Sequence, residues 1–381
     1  QLEQNIAAMP SVTELLRAGK TPEDMTGISK KAPLWVTGDA EPTAKQMQKL
    51  AKATHVLLPY FYEDELPDLG LQIPDFRTVT SEAPKDPSPE LYDTINLMQS
   101  RQDWLSEYLE DDGADRLSFV GSCKGMTSVA ECVAAMRSLI NLEVGWAKSL
   151  ASDAAVRALR DAIEATGVYV CAGSYVGNSS KRTLDVKEFR GFVLTDAYAP
   201  VIFINTRDAR SAQLFTLAHE FAHLLFNESG LDDAELDESN ETICDEIAAE
   251  FLVPSSLAFR LFDRFDNDGA IKEMMRFTKV SEIVCLRRAK DLKLISKAEF
   301  FRRLDDYRAR LSSLSPNKGE RAKTSGPSFY TLQKNHLGKL FPETVYLALK
   351  SERLLYSDAY RLTGMSAGSF SDYYKREGMF V

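Results

Sequence analysis

The sequence predicts an α+β fold: a small sheet packed on one functional helix, with helical segments before and after it. Three observations carry this. Short apolar, β-branched runs bounded by turn residues occur only in the middle of the chain. Helical periodicity fills most of the rest. An H-E-x-x-H pattern, His219-Glu220-Phe221-Ala222-His223, lies on a helical stretch directly behind the last of those strands.

The chain has 381 residues, 44% hydrophobic and 27% charged, enough to bury sizeable cores in more than one domain. A net charge of −10 gives no global attraction to a phosphate backbone. There is no run of about 18 apolar residues, which excludes a helical membrane span. The opening Gln1-Leu2-Glu3-Gln4 has neither the basic nor the apolar region of a secretory signal. The five cysteines, Cys123, Cys132, Cys171, Cys244 and Cys285, are odd in number and scattered without a C-x-x-C pair. That pattern suits small buried side chains in a reducing, cytoplasmic compartment rather than a disulfide framework.

In chain order, residues 1–60 read as short helices. Thr21 and Pro22 supply an N-cap and a first-turn proline. A further helix from Ala44 to about Thr54 carries Met47, Leu50 and Ala51 on one face. Residues 63–89 are broken by five prolines. Helices are expected from Pro89 to about Leu109, from Thr127 to about Ser149 and from Asp153 to Thr166. Strands follow at Gly167–Cys171, Gly191–Thr195 and Pro200–Asn205, and after Asn205 the pattern is helical throughout. Residues 315–328 are polar and rich in Pro, Gly and Ser, marking a linker before a small helical unit at 329–381.

On a helix, His219 and His223 stand one turn apart on the same face, so both imidazoles can reach one cation. Glu220 lies roughly 100° round, where a carboxylate can take a proton from water. Zinc suits this donor set, and a catalytic zinc needs a third protein ligand. After a loop of acidic and small residues at 228–240, the next helix offers Glu241 and Asp245 at i and i+4. This arrangement suits Glu241 as ligand, with Asp245 behind it accepting a hydrogen bond from a ligand imidazole. Glu250, farther along, is the rival ligand, and Glu238 falls in the loop. Tyr175 or Tyr198 can be pictured as an oxyanion stabiliser, although no pattern singles either out. The strand ending at Asn205 is expected either to form the edge of the cleft, where a substrate peptide adds by backbone pairing, or to be a plain core strand.

The HEFAH helix followed by E-T-I-C-D-E-I-A-A-E-F-L-V-P resembles the ImmA/IrrE family of zinc metallo-endopeptidases, and the likeness extends over most of the chain. The stretch 185–226, with D-V-K-E-F-R-G-F-V-L and F-T-L-A-H-E-F-A-H, is similar to the zincin core of such proteins. Residues 34–78, with W-V-T-G-D-A-E-P-T, K-Q-M-Q-K-L, Y-F-Y and I-P-D-F-R-T, are similar to a degenerate XRE-type helix-turn-helix. The resemblance implies one zinc per chain held by His219, His223 and Glu241, with Glu220 as general base. The family position matching Asp245 is often Asn. It also implies a protein substrate, an XRE-type repressor or antitoxin-like partner, whose cleavage switches on phage, mobile-element or stress-response genes. The expected organisation is therefore a helix-turn-helix-like domain at 1–65, a linker and helical insertion at 66–150, a zincin-like metallopeptidase domain at 151–314, the linker and the C-terminal unit.

DNA binding by the front unit is weakly supported. Residues 1–60 carry seven Lys/Arg against six acids, and Pro33 interrupts the segment that would be the recognition helix. A protein-docking or regulatory role suits it better. Two other functional classes remain open at this level: a regulatory binding protein whose zinc site is structural or silent, and a zinc hydrolase acting on a small molecule.

Overall fold

The computed structural model describes residues 42–43, 45–46, 49, 87–126, 128–226, 237–313 and 328–379. The expected helix-turn-helix, apart from five positions in its Ala44 helix region, lies outside these residues, as do the expected linker up to residue 327 and residues 227–236. At that helix start, Thr43 donates its backbone N–H to Gln46 Oε1 at 2.8 Å, one half of a capping box. By contacts the chain divides into two units, Gln1–Gln72 with Pro84–Asn96, and Ile73–Ala83 with Leu97–Val381.

Three helices precede the sheet: α1 (Pro89–Asp111), α2 (Val129–Ile140) and α3 (Ser152–Glu164). The stretch from Thr127 had been expected to stay helical to about Ser149, but α2 stops at Ile140. Asn141 enters the left-handed region at φ 51° and returns its N–H to Arg137 O, and Gly145 follows at φ 87°. A short polar side chain tolerates that conformation and ends the helix.

The sheet consists of β1 (Tyr169–Gly173), β2 (Gly191–Leu194) and β3 (Val201–Asn205), in the order β1-β3-β2. β1 runs parallel to β3 with Cys171 opposite Phe203, and β2 runs antiparallel with Phe192 opposite Phe203. The strand expected at Gly167–Cys171 begins two residues later because Gly167 turns the chain at φ 98°. β3 is therefore the central strand, so of the two readings open for it the plain core strand holds and the cleft edge does not. Its run Val201-Ile202-Phe203-Ile204 is buried throughout, as in a strand covered on both faces.

From β3 the chain enters α4 (Arg210–Phe226), buried continuously from Leu214 to Leu225 except for the half-buried Phe215. Gln213 anchors its start by donating to Asp208 O at 2.8 Å. Its far end is closed by the loop after α1: Gly121 N donates to Leu224 O at 2.9 Å and Cys123 N to Leu225 O at 2.7 Å. These bonds satisfy carbonyls that a helix C-terminus leaves open.

Next comes α5 (Asp237–Leu252). Residue 238, expected in the loop, falls within the backbone of this helix. Cys244, Ile247, Ala248 and Phe251 bury its inner face. Four helices complete this part: α6 (Ser255–Arg264), α7 (Asn267–Thr278), α8 (Glu282–Asp291) and α9 (Lys297–Ser313).

The C-terminal residues form α10 (Phe329–Leu337), α11 (Leu340–Lys350), α12 (Tyr356–Thr363) and α13 (Ala367–Arg376). They pack on β1. Arg160 Nη2 donates to both Val170 O (2.7 Å) and Asn335 O (2.9 Å), and Glu164 Oε1 accepts from Lys339 N (2.8 Å). The buried Arg101 donates to Leu362 O and His336 O. No described helix is long and apolar enough to cross a membrane.

Candidate metal centre

Two helices build the site. α4 supplies His219, Glu220 and His223, which are 0%, 1% and 1% exposed. The helix is buried here because Leu217, Phe221, Leu224 and Leu225 flank the polar residues with apolar surface. α5 lies against α4 and brings Glu241 and Asp245 to the same place.

The two imidazoles face each other with Nε2 atoms 2.9 Å apart. Glu241 Oε2 stands 3.3 Å from His219 Nε2, and its Oε1 stands 3.3 Å from His223 Nε2. Ligand atoms from all three residues lie within 4.8 Å of one another. One cation placed between them would answer all three donors. Two nitrogens and an oxygen are the donor types zinc takes, with one position left for water or substrate.

Asp245 Oδ1 lies 3.1 Å from His219 Nδ1. A carboxylate at this distance would favour the tautomer with the proton on Nδ1 and the Nε2 lone pair turned inward. Phe215, one turn earlier on α4, stacks on the His219 ring at 6.4 Å between centroids. Glu241 is 31% exposed, so the site opens to solvent on the α5 side.

The rival ligand is elsewhere. Glu250 Oε1 accepts from Ser255 N at 3.0 Å and from Ser255 Oγ at 3.1 Å, and its Oε2 pairs with Arg288. It caps α6 across the Pro254 break rather than joining the histidines. The tyrosines pictured as oxyanion stabilisers are engaged away from the cluster. Tyr198 hydrogen-bonds Arg116 and Glu110, and the Tyr175 ring meets His336 edge-on at 5.0 Å.

Residues 164–290 match the family model of the IrrE N-terminal-like domain, a peptidase family. This span is similar to an IrrE N-terminal-like domain. It runs from the end of α3 through the sheet, α4 and α5 to α8, so all five site residues fall within it. The end of its central helix is closed from outside the matched span, since Gly121 and Cys123 lie before residue 164. Sequence reading missed that contribution; the glycines at 121 and 125, both at positive φ, were the available sign of a tight loop. Residues 337–376 match a domain of unknown function (DUF8813). No curated protein matches the chain.

Proposed function

We propose that the IrrE-like domain is a zinc-dependent endopeptidase, with His219, His223 and Glu241 holding the ion and Asp245 orienting His219. The observation that carries this reading is the convergence of those three donors within 4.8 Å, next to the buried carboxylate of Glu220. When bound, zinc supplies Lewis acidity, polarising a carbonyl and acidifying water. The protein's own residues do the proton work. Glu220 takes a proton from the attacking water and delivers it to the departing amine nitrogen. Burial among Leu217, Phe221 and Leu224 keeps bulk water from that carboxylate.

An extended peptide cannot pair with β3, which has partners on both sides. β2 pairs on one side with β3 and lies against α4, where Gly191 approaches Thr216 one turn before Glu220. Its outer side is the edge we assign to substrate pairing. The substrate is a protein, and the family resemblance favours an XRE-type repressor or antitoxin-like partner. The five buried cysteines, scattered without a C-x-x-C pair, support a reducing, cytoplasmic setting.

The test is Glu220→Gln on the full chain with a neighbouring repressor as substrate. About one zinc per chain is expected to remain while cleavage falls by at least ~100-fold. Full cleavage by the variant would remove Glu220 from the mechanism. Retained partner binding with no cleavage by the wild type would favour a non-proteolytic regulator.

A further inference from the structure

Outside the histidine site, three sulfur atoms are gathered where α2 meets the loop that closes α4. Cys123 and Met126 lie in one turn of that loop, with Met126 N donating to Cys123 O at 2.9 Å. Cys132 projects from the second turn of α2, and its Sγ stands 3.8 Å from Met126 Sδ. The Cys123 and Cys132 thiols are both buried, while Met126 is 38% exposed at the mouth. Burial, reinforced by the neighbouring Cys123 thiol, pushes the Cys132 thiol up to about 12, so that thiol is not presented as a free nucleophile.

From this geometry we infer that Cys123, Met126 and Cys132 form a binding site for one monovalent copper ion. Two sulfurs that each sit about 2.3 Å from a common metal are roughly 3.8–4.0 Å apart, which is the separation found here between Cys132 and Met126. Two thiols plus a thioether are a soft donor set that selects Cu(I) over magnesium, calcium or manganese. The thioether disfavours zinc relative to a four-thiolate site. The site differs in kind from the His-His-Glu centre, whose nitrogen and oxygen donors are harder. On binding, the ion replaces thiol protons, which pass to solvent. No electron moves, so no oxidant is required.

The position gives the ion a consequence. The Cys123 N–H closes the carbonyl of Leu225, and Gly121 closes that of Leu224, at the end of the helix that carries His219, Glu220 and His223. Tying Cys123 to α2 through a metal rigidifies the loop that caps the site helix.

The experiment is anaerobic titration of the reduced full-length chain with Cu(I) against a chromophoric copper(I) chelator. One copper per chain is expected, with a near-ultraviolet thiolate-to-copper band and an affinity that rises with pH. His219→Ala should leave both unchanged. Cys123→Ser should weaken binding by at least ~100-fold, and Met126→Leu by ~10-fold or more. Met126 is half-exposed, so the second variant keeps the test decisive if the cysteine variant misfolds, and circular dichroism matching the wild type verifies its fold. The inference fails if no copper binds, if Met126→Leu binds as the wild type does, or if His219→Ala abolishes binding.

Discussion

Asp245 and Glu250 are acids five positions apart on one helix, yet the structure gives them different work. Asp245 stands beside His219 Nδ1, whereas Glu250 joins Arg288 and caps Ser255. Asp245→Ala is therefore expected to lower zinc affinity by ~10–100-fold with little loss of stability, measured by chelator competition alongside thermal melts. Glu250→Gln should retain full zinc stoichiometry and lose about 1–3 kcal/mol of stability in a denaturant titration, because Arg288 is left half-buried without its partner. Sequence spacing put Glu241 and Glu250 in contention for the ligand role, with Asp245 behind Glu241. The partners that separate them, Arg288 and Ser255, lie C-terminal to α5, beyond the window in which i, i+4 reasoning operates.

His336 carries a pH prediction of its own. Burial, then the positive charges of Arg101 and Arg160, hold its imidazole down to about 4 from the ordinary 6.5. The ring packs against Gly173 and Tyr175 on the strand side. As pH falls from about 6.5 toward 4, the unfolded chain gains a proton that the folded chain refuses. Stability is lost across that window, by up to roughly 3 kcal/mol, and is fully present above it. His336→Gln should flatten this part of the stability-against-pH curve relative to wild type, read by melts at pH 7.5 and 5.

Among the elements, β2 and α4 are in tighter contact than their sequences suggest. A Cβ at Gly191 would stand 2.5 Å from Thr216 Cγ2 and 2.8 Å from the backbone oxygen of Phe203. Gly191→Ala should cost about 1–3 kcal/mol, and Thr216→Ser should restore only part of it, since the clash with Phe203 O remains. Equal stability of Gly191→Ala and wild type would contradict this packing. The strands were visible as apolar runs, because β-branched residues between turn residues mark them locally. Their order was not. A run buried on both faces reads the same whether its neighbours precede or follow it, and β3 became the centre only when β1 and β2 paired on either side. The end of α2 was misjudged for a related reason: periodic apolar residues continue past Asn141, while the left-handed turn there depends on backbone bonding rather than on hydrophobic pattern.

For the molecule as a whole, the C-terminal helices are part of what supports the sheet. Arg101, Arg160 and Glu164 reach from α1 and α3 to backbone groups between Asn335 and Leu362. Gly338, at φ 71°, passes so close to β1 that a Cβ there would stand 2.6 Å from Val170 O. Truncation after Ser313 uncovers β1 and removes both backbone acceptors of the buried Arg101 guanidinium. The shortened chain is expected to be insoluble or to melt far below the intact protein, in expression and calorimetry trials. A soluble, cooperatively folding product would show that the IrrE-like domain stands without this support.

The sequence by itself determined the α+β class, the helix carrying His219, Glu220 and His223, and the pairing of Glu241 with Asp245 on the next helix. Each of these follows from spacing within one element, where 3.6 residues per turn fixes which side chains share a face. Only the tertiary structure decided that Glu241, not Glu250, meets the histidines, and that β3 is central. It also showed that Gly121 and Cys123 close the site helix and that the C-terminal helices cover β1. These are contacts between residues far apart in the chain, set by packing and by backbone groups that every residue type shares, so no local pattern announces them.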